Sequence, residues 1–300
     1  MSIPKFTVII PTYLRVSSLE RCLLALEKQT RLPQEVIIVR RDTDFATGNF
    51  LKDYVKRLLP FIVRELQVEQ PGFIPPVKVG FAAAKGDYVA LIDDDVLVGP
   101  EWVATAISVF RENGPRLGAV SGAAVCHTKN YGSVYPARLH GAVRFAVIKN
   151  KDYASNRINA LTEGNVIFRG EAVAGLLVEM KLNDGRIVHH GLDFGLQLIK
   201  KGWCLRYEPS INAEHLALRS ADSVSEIDDM KTYITNLMII IRKNLGLGAL
   251  RWFVLYNLFV GQYFVPGILY FFIKQNRTWL FVKVARGTLI SNLVALNPLP

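Results

Sequence analysis

Over its first two thirds the chain alternates short apolar runs with segments of helical periodicity. Phe6–Ile10 is a β-branched run stopped by Pro11 and Thr12, and reads as a buried strand opening into a loop. Leu19, Cys22, Leu23 and Leu26 follow at helical intervals, with Ser17 and Glu20 spaced as a capping box. The same reading predicts strands at Glu35–Val39, Phe61–Leu66 and Tyr88–Ile92, and helices over 51–59 and 77–84. Leu117–Val125 and Asn165–Arg169 are later extended segments, and a helix over 192–201 is ended by Gly202. Strands alternating with helices predict an α/β fold with a parallel-type sheet, whose ligands gather outside the carboxyl ends of the strands.

The pattern changes after about Met230. Tyr233, Leu237, Ile240 and Ile241 form a helical stripe, and residues 252–273 (WFVLYNLFVGQYFVPGILYFFI) carry no charge. That run is long enough to span a bilayer. Gly261, Pro266 and Gly267 could instead fold it into a shallow hairpin. Basic residues flank both ends, Arg242, Lys243 and Arg251 before and Lys274, Arg277, Lys283 and Arg286 after, so they set no direction of insertion. Monotopic attachment to anionic lipid at the cytoplasmic face of the cell membrane is the favoured expectation. The competing one is a helical subdomain packed on the catalytic domain or on a second subunit. The expected division is therefore 1–229, with a nucleotide-binding half to about 115 and an acceptor half from 116, followed by an apolar helical region over 230–300.

Composition narrows the class. With 300 residues, half of them hydrophobic, the chain can bury a sizeable core, which excludes disorder as the default. A net charge of +10 favours anionic partners without choosing among nucleotide phosphates, lipid and nucleic acid. No nucleic-acid-binding motif accompanies it. Three scattered cysteines suggest neither a disulfide framework nor a cysteine-rich zinc site, and no secretory leader precedes Phe6, so a cytoplasmic setting is expected. The loop after the first strand, Pro11-Thr12-Tyr13-Leu14-Arg15, lacks the glycines of a dinucleotide-binding turn, and no phosphate-binding loop of the G-x-x-x-x-G-K-[ST] type occurs.

The strongest chemical signal is GDYVALIDDDVLVGP, where the strand at 88–92 ends in Asp93, Asp94 and Asp95. Adjacent carboxylates disfavour joint ionisation unless donors or a cation compensate them. A hard divalent ion takes carboxylate oxygens together with diphosphate and water.

Five ordered segments, TVIIPTYLRVSSLERCLLALEKQT, GFAAAKGDYVALIDDD, EGNVIFRGEAV, HHGLDFGLQLIKKGW and YEPSINAEH, resemble the family 2 glycosyltransferases with the A-type nucleotide-sugar fold. The resemblance spans most of residues 5–216. It implies a Rossmann-like nucleotide-sugar-binding domain, a nucleoside diphosphate sugar donor and a divalent cation, manganese or magnesium. Asp95 is implied as the direct metal contact, Asp93 as facing ribose and metal, Asp94 as a structural or nucleotide-side residue, and His215 as a second metal ligand. Pro11, Thr12 and Arg15 lie in the loop that closes over the nucleotide. Asp42 or Asp44 stands where relatives read the base, beside Arg40 and Arg41, which face phosphate or solvent. Lys78 is the diphosphate candidate, Gly164 and Asn165 fall near the donor sugar, and Arg169 supports that region. Asp193 is the general base expected of an inverting transfer. The sequence departs from the family pattern at Leu192 and Gly195, where acids are usual.

The implied activity is a single-addition sugar transfer to a glycan or lipid-linked acceptor, in polysaccharide, O-antigen-like or glycolipid assembly. Two alternatives stand beside it. A processive synthase would carry several membrane spans and a Gln-x-x-Arg-Trp motif, and a non-catalytic nucleotide-sugar-binding or scaffold protein would account for the altered acids.

Overall fold

The computed structural model describes residues 3–126, 135–148, 154–178, 189–216, 226–262 and 265–266. The first half runs β1 (Phe6–Thr12), α1 (Val16–Glu27), β2 (Glu35–Arg41), α2 (Phe45–Tyr54), β3 (Ile62–Val68), α3 (Ile74–Ala83) and β4 (Tyr88–Ile92). It continues with β5 (Val96–Val98), α4 (Trp102–Glu112), β6 (Leu117–Ser121), β7 (Ala124–Val125), β8 (Ala137–His140) and β9 (Arg144–Val147). Then come β10 (Asn165–Arg169), α5 (Gly170–Val173), α6 (His190–Lys200), β11 (Cys204–Tyr207), β12 (Ala213–His215) and α7 (Glu226–Phe259). The short pair β13 (Gly261–Gln262) and β14 (Val265–Pro266) closes the order.

Seven strands form one sheet in the order β11-β6-β10-β4-β1-β2-β3. Its central strands β1, β2 and β4 are apolar on both faces, as buried parallel strands are. Successive side chains point to opposite faces, so Phe6, Val8 and Ile10 enter the core with α1 and α4, while Ile9 enters the other core with α3 and α6. Val36 and Ile38 against Ile37 and Val39, and Ala90 and Ile92 against Val89 and Leu91, repeat the split. The result is three layers, helix, sheet, helix.

The sheet departs from the parallel expectation at one strand. β10 runs antiparallel to both β4 and β6, pairing Asn165 with Ile92 and Val166 with Ser121. It therefore delivers its amino end, preceded by Gly164, to the edge where β4 and β6 deliver their carboxyl ends.

Helix starts also differ from the sequence reading. α1 is capped at Arg15, whose carbonyl accepts from Ser18 and Leu19, so Ser17 and Glu20 lie inside the helix and form no capping box. α2 starts at Phe45 because Asp44 accepts the Thr47 N–H at 3.0 Å, a side-chain cap worth about 1 kcal/mol. α3 begins at Ile74, with prolines filling its first turn, where a missing N–H costs nothing.

α7 lies on α6. Leu192 and Leu196 pack with Leu237, Ile240, Ile241, Leu250 and Phe253 in a third apolar cluster that also takes in Leu139 and Ala160. Gly246, with φ of 86°, breaks α7 into two helical pieces. The helix stops at Phe259, and β13 pairs antiparallel with β14, Gly261 opposite Pro266, so the expected run over 252–273 is not one helix. Gly261 and Pro266, a glycine and a proline that cannot donate, form one pair of that short ladder. No helix among the described residues is long and apolar enough to cross a membrane. Tyr233's side chain and the basic flank from Lys274 to Arg286 lie outside the described residues.

Candidate active site

The site forms where β1, β4 and β10 meet. β4 ends at Ile92 and hands on to Asp93, Asp94 and Asp95, with Asp94 and Asp95 only 3% exposed. The loop after β1 folds onto them. Thr12 Oγ1 donates to Asp94 Oδ2 at 2.7 Å, and Arg15 bridges Asp94 (2.9 Å) and Asp95 with its two terminal nitrogens. Asp94 thereby helps to fasten the first loop.

His215 arrives by strand pairing. β12 runs antiparallel to β5 with His215 opposite Val96, and the Leu216 N–H donates to the Asp95 carbonyl at 2.9 Å. That register sets His215 Nε2 3.3 Å from Asp95 Oδ1. Asp93, Asp95 and His215 each offer one ligand atom, all within 4.8 Å of one another. Gly164 closes the other side: with φ of 80°, it stands so near that a Cβ there would lie 2.7 Å from Asp93 Oδ2. Only glycine fits this approach without strain.

The electrostatics explain how three adjacent acids persist. Burial works against the Asp95 charge, but the hydrogen bond with His215 and the Arg15 guanidinium outweigh it and bring its carboxyl down to about 2. Asp94 is pushed up to about 7, because burial outweighs Arg15 and Thr12. Asp93 is raised by burial and by the Asp95 charge. His215 is raised, chiefly by its bond to Asp95. The group shares charge unevenly, as closely spaced carboxylates must.

The set fits a divalent cation. Two carboxylates and an imidazole suit manganese and similar ions, and His215 Nδ1 is buried with no hydrogen-bond partner among the described residues.

Several expected residues are used elsewhere. Asp44, fully buried, spends its oxygens on Thr47 N, Thr47 Oγ1 and Leu14 N. Asp42 is half-buried beside it, accepting from Thr43 N at 2.8 Å. Arg40 faces neither phosphate nor solvent. It is buried against Glu65 at 2.6 Å and donates to the carbonyls of Arg41 and Asp44. Arg41 lies over the Tyr13 ring, 4.9 Å from its centroid. Pro11 is half-buried at the end of β1, and Lys78 is exposed on α3.

Asn165 is fully buried. Its amide donates to Ala123 O and Ile211 O and accepts from Trp102 Nε1, so it braces the floor of the site and leaves no polar group for a sugar. Arg169 sits at the far end of β10, donating to Leu117 O and Gly114 O.

Asp193 differs most from expectation. It is 1% exposed, and its carboxylate accepts from Lys243 Nζ (3.0 Å), Gln197 Nε2 (2.9 Å) and Asn244 Nδ2 (2.8 Å). The side chain clamps α6 to α7 and offers no free oxygen to an acceptor. Two of its three partners, Lys243 and Asn244, are distant along the chain, so the sequence alone leaves it looking available.

Residues 7–173 match the profile of glycosyl transferase family 2. The chain belongs to that family. Over 93 residues it is 30% identical to the uncharacterized glycosyltransferase EpsJ of Bacillus subtilis (strain 168), a match covering 31% of this chain and about a quarter (26%) of that protein. Among solved structures, S. aureus TarS 1-349 in complex with UDP-GlcNAc superposes with a TM-score of 0.62 at 14% identity, over 94% of this chain and 79% of that one. The mannosyltransferase PcManGT from Pyrobaculum calidifontis, in complex with GDP-Man and Mn2+, gives 0.58 at 15% identity, over 97% and 87%. These likenesses place the family 2 chain in the A-type fold.

Two further polar residues border the family 2 site. Glu163 precedes Gly164, and His190 opens α6, its Nδ1 3.5 Å from Glu163 Oε1. Burial pushes the Glu163 carboxyl up to about 7, against hydrogen bonds from the amides of His189, Gly191 and His190. Burial also pushes His190 down to about 4, against the charges of Asp93 and Asp193. The sequence carried a faint signal of both, in Glu-Gly-Asn and His-His-Gly, without saying that the two segments meet.

Proposed function

We propose that this family 2 chain is a metal-dependent, inverting glycosyltransferase, moving a sugar from a nucleoside diphosphate sugar to a glycan or lipid-linked acceptor. The observation that carries the reading is the convergence of Asp93, Asp95 and His215 within 4.8 Å outside the end of β4. Those three residues would hold manganese or magnesium, which when bound supplies positive charge to the departing diphosphate. Arg15 and Thr12 order the first loop beside the nucleotide, and Asp42 and the Arg41–Tyr13 stack border the base. Gly164 leaves room for the donor sugar, and Lys78 serves as an outlying cation. The donors seen with TarS and PcManGT, UDP-GlcNAc and GDP-Man, support a donor of that class.

The exposed apolar side chains of Trp252, Leu255, Phe259 and Val260, with Arg251 exposed beside them and Arg242 exposed in the preceding helical piece, support attachment at the cytoplasmic face of a membrane. Such attachment would bring the site to a lipid-linked acceptor. The locking of Asp193 favours a second reading, a protein that binds the donor without turning it over.

Calorimetry with Mn2+ and a panel of uridine, thymidine and guanosine diphosphate sugars tests the first reading. Wild type should bind one donor class in a Mn2+-dependent manner and release nucleoside diphosphate. Asp95→Ala should lose the Mn2+ dependence. Donor binding that is indifferent to Mn2+ in both proteins would sink the metal assignment, and binding without release would favour the second reading.

A further inference from the structure

With Asp193 clamped, a transferase still needs a carboxylate within hydrogen-bond reach of the acceptor hydroxyl. Glu163 is a partly exposed carboxylate at the edge of the same site. It is bonded to Gly164, which touches Asp93, so its backbone is fixed one residue from the candidate cation cluster. Its side chain is 29% exposed, against 1% for Asp193, and can therefore meet an acceptor.

The local backbone is shaped around it. His189 takes the left-handed conformation (φ 76°, ψ 21°), a cost for a residue with a Cβ, and the chain turns directly into α6. A left-handed residue followed by right-handed ones turns consecutive amides toward one point, forming an anion-binding concavity. The amides of His189, His190 and Gly191 all donate to Glu163. A Cβ at Gly191 would lie 2.1 Å from Leu161 O, so glycine is what lets the segment before Glu163 come this close.

An independent observation points the same way. His190 is 4% exposed, and neither ring nitrogen has a hydrogen-bond partner among the described residues. The ring is held against Phe73 at 4.6 Å between centroids, with Nδ1 3.5 Å from Glu163 Oε1. A buried polar ring left unsatisfied is costly and is kept where something else needs it.

We propose that Glu163 is the general base of this chain, with His190 as the residue that positions its carboxylate. The inference rests on the transferase reading. As the acceptor O–H bond breaks, the proton passes to the Glu163 carboxylate and the hydroxyl oxygen forms the new bond to the anomeric carbon. The bond from that carbon to the diphosphate oxygen breaks, and its electron pair leaves with the nucleoside diphosphate. One proton moves, one C–O bond forms and one breaks. Desolvation raises the carboxyl above its ordinary value, toward the range where a base is effective, and the His190 ring, kept neutral by burial, can donate to it without adding a competing charge.

The test is nucleoside diphosphate release from the donor that binds wild type, with Mn2+ and with water as acceptor, alongside donor affinity by calorimetry. Glu163→Gln keeps an oxygen for the three amides, so folding should survive. It should bind donor within about twofold of wild type and lose on the order of 10²- to 10⁴-fold in kcat. In Glu163→Ala, added formate should restore part of the lost rate, which a merely structural role would not do. Near-wild-type kcat in Glu163→Gln, or equal losses of kcat and donor affinity with no rescue by formate, would overturn the assignment. Binding without release in wild type, or no donor binding at all, would sink the transferase reading itself and the assignment with it.

Discussion

Replacing Asp193 with alanine separates the clamp seen in the structure from the catalytic role its sequence position suggests. The substitution removes three hydrogen bonds, from Lys243, Gln197 and Asn244. Each donor keeps a second partner: Lys243 and Gln197 reach Leu177 O at 3.2 and 3.1 Å, and Asn244 reaches Ile240 O at 3.0 Å. Each loss should therefore cost about 1 kcal/mol rather than the full desolvation of an orphan. Breaking a fully buried ion pair costs roughly 3–5 kcal/mol, but the Lys243 side chain is 26% exposed and can recover water. The sum is about 3 kcal/mol, which at about 2.1 cal/mol/K per residue over 300 residues lowers Tm by roughly 5 °C. Circular dichroism melts of wild type and Asp193→Ala measure it, with nucleoside diphosphate release read well below both transitions. An unchanged Tm with turnover abolished would refute the clamp and return Asp193 to the chemistry.

Two further outcomes are expected. Burial of Glu35 is outweighed by its bonds to Thr7, Arg64 and the Lys85 amide, so its carboxyl lies below the ordinary value. A depressed folded value gives stability that is present above the unfolded pKa of about 4.3 and lost as pH falls through the folded one; Glu35→Gln should flatten that acid limb in urea titrations between pH 6 and pH 3, and an unchanged limb would reject the assignment. Sedimentation with vesicles should show binding to anionic ones, weakened by Trp252→Ser with Phe259→Ser, and equal recovery with neutral vesicles would argue against lipid attachment.

The strands were legible because Val, Ile and Leu runs such as EVIIV and YVALI are buried on both faces whatever surrounds them. Helix starts were less so, since the cap at Asp44 depends on a carboxylate that could equally have read a base. The three aspartates announced a charge problem in one dimension. Their partner His215 reaches them only through the β12–β5 register, and the reversed direction of β10 leaves no trace in a run such as NVIFR. Asp193 looked available because Lys243 and Asn244 lie some fifty residues away along the chain. Glu163 and His190 are not legible in the sequence for the same reason: their meaning arises from a tertiary approach that glycines at 164 and 191 permit.

The reversal of β10 also bears on how the protein can be dissected. β4 has β1 on one side and β10 on the other, so a fragment ending near residue 115 would leave a row of apolar-flanked amides and carbonyls unpaired along β4. Such an edge recruits other strands. The nucleotide-binding half should therefore self-associate when expressed alone, and regain solubility only when residues 117–169 are supplied to it.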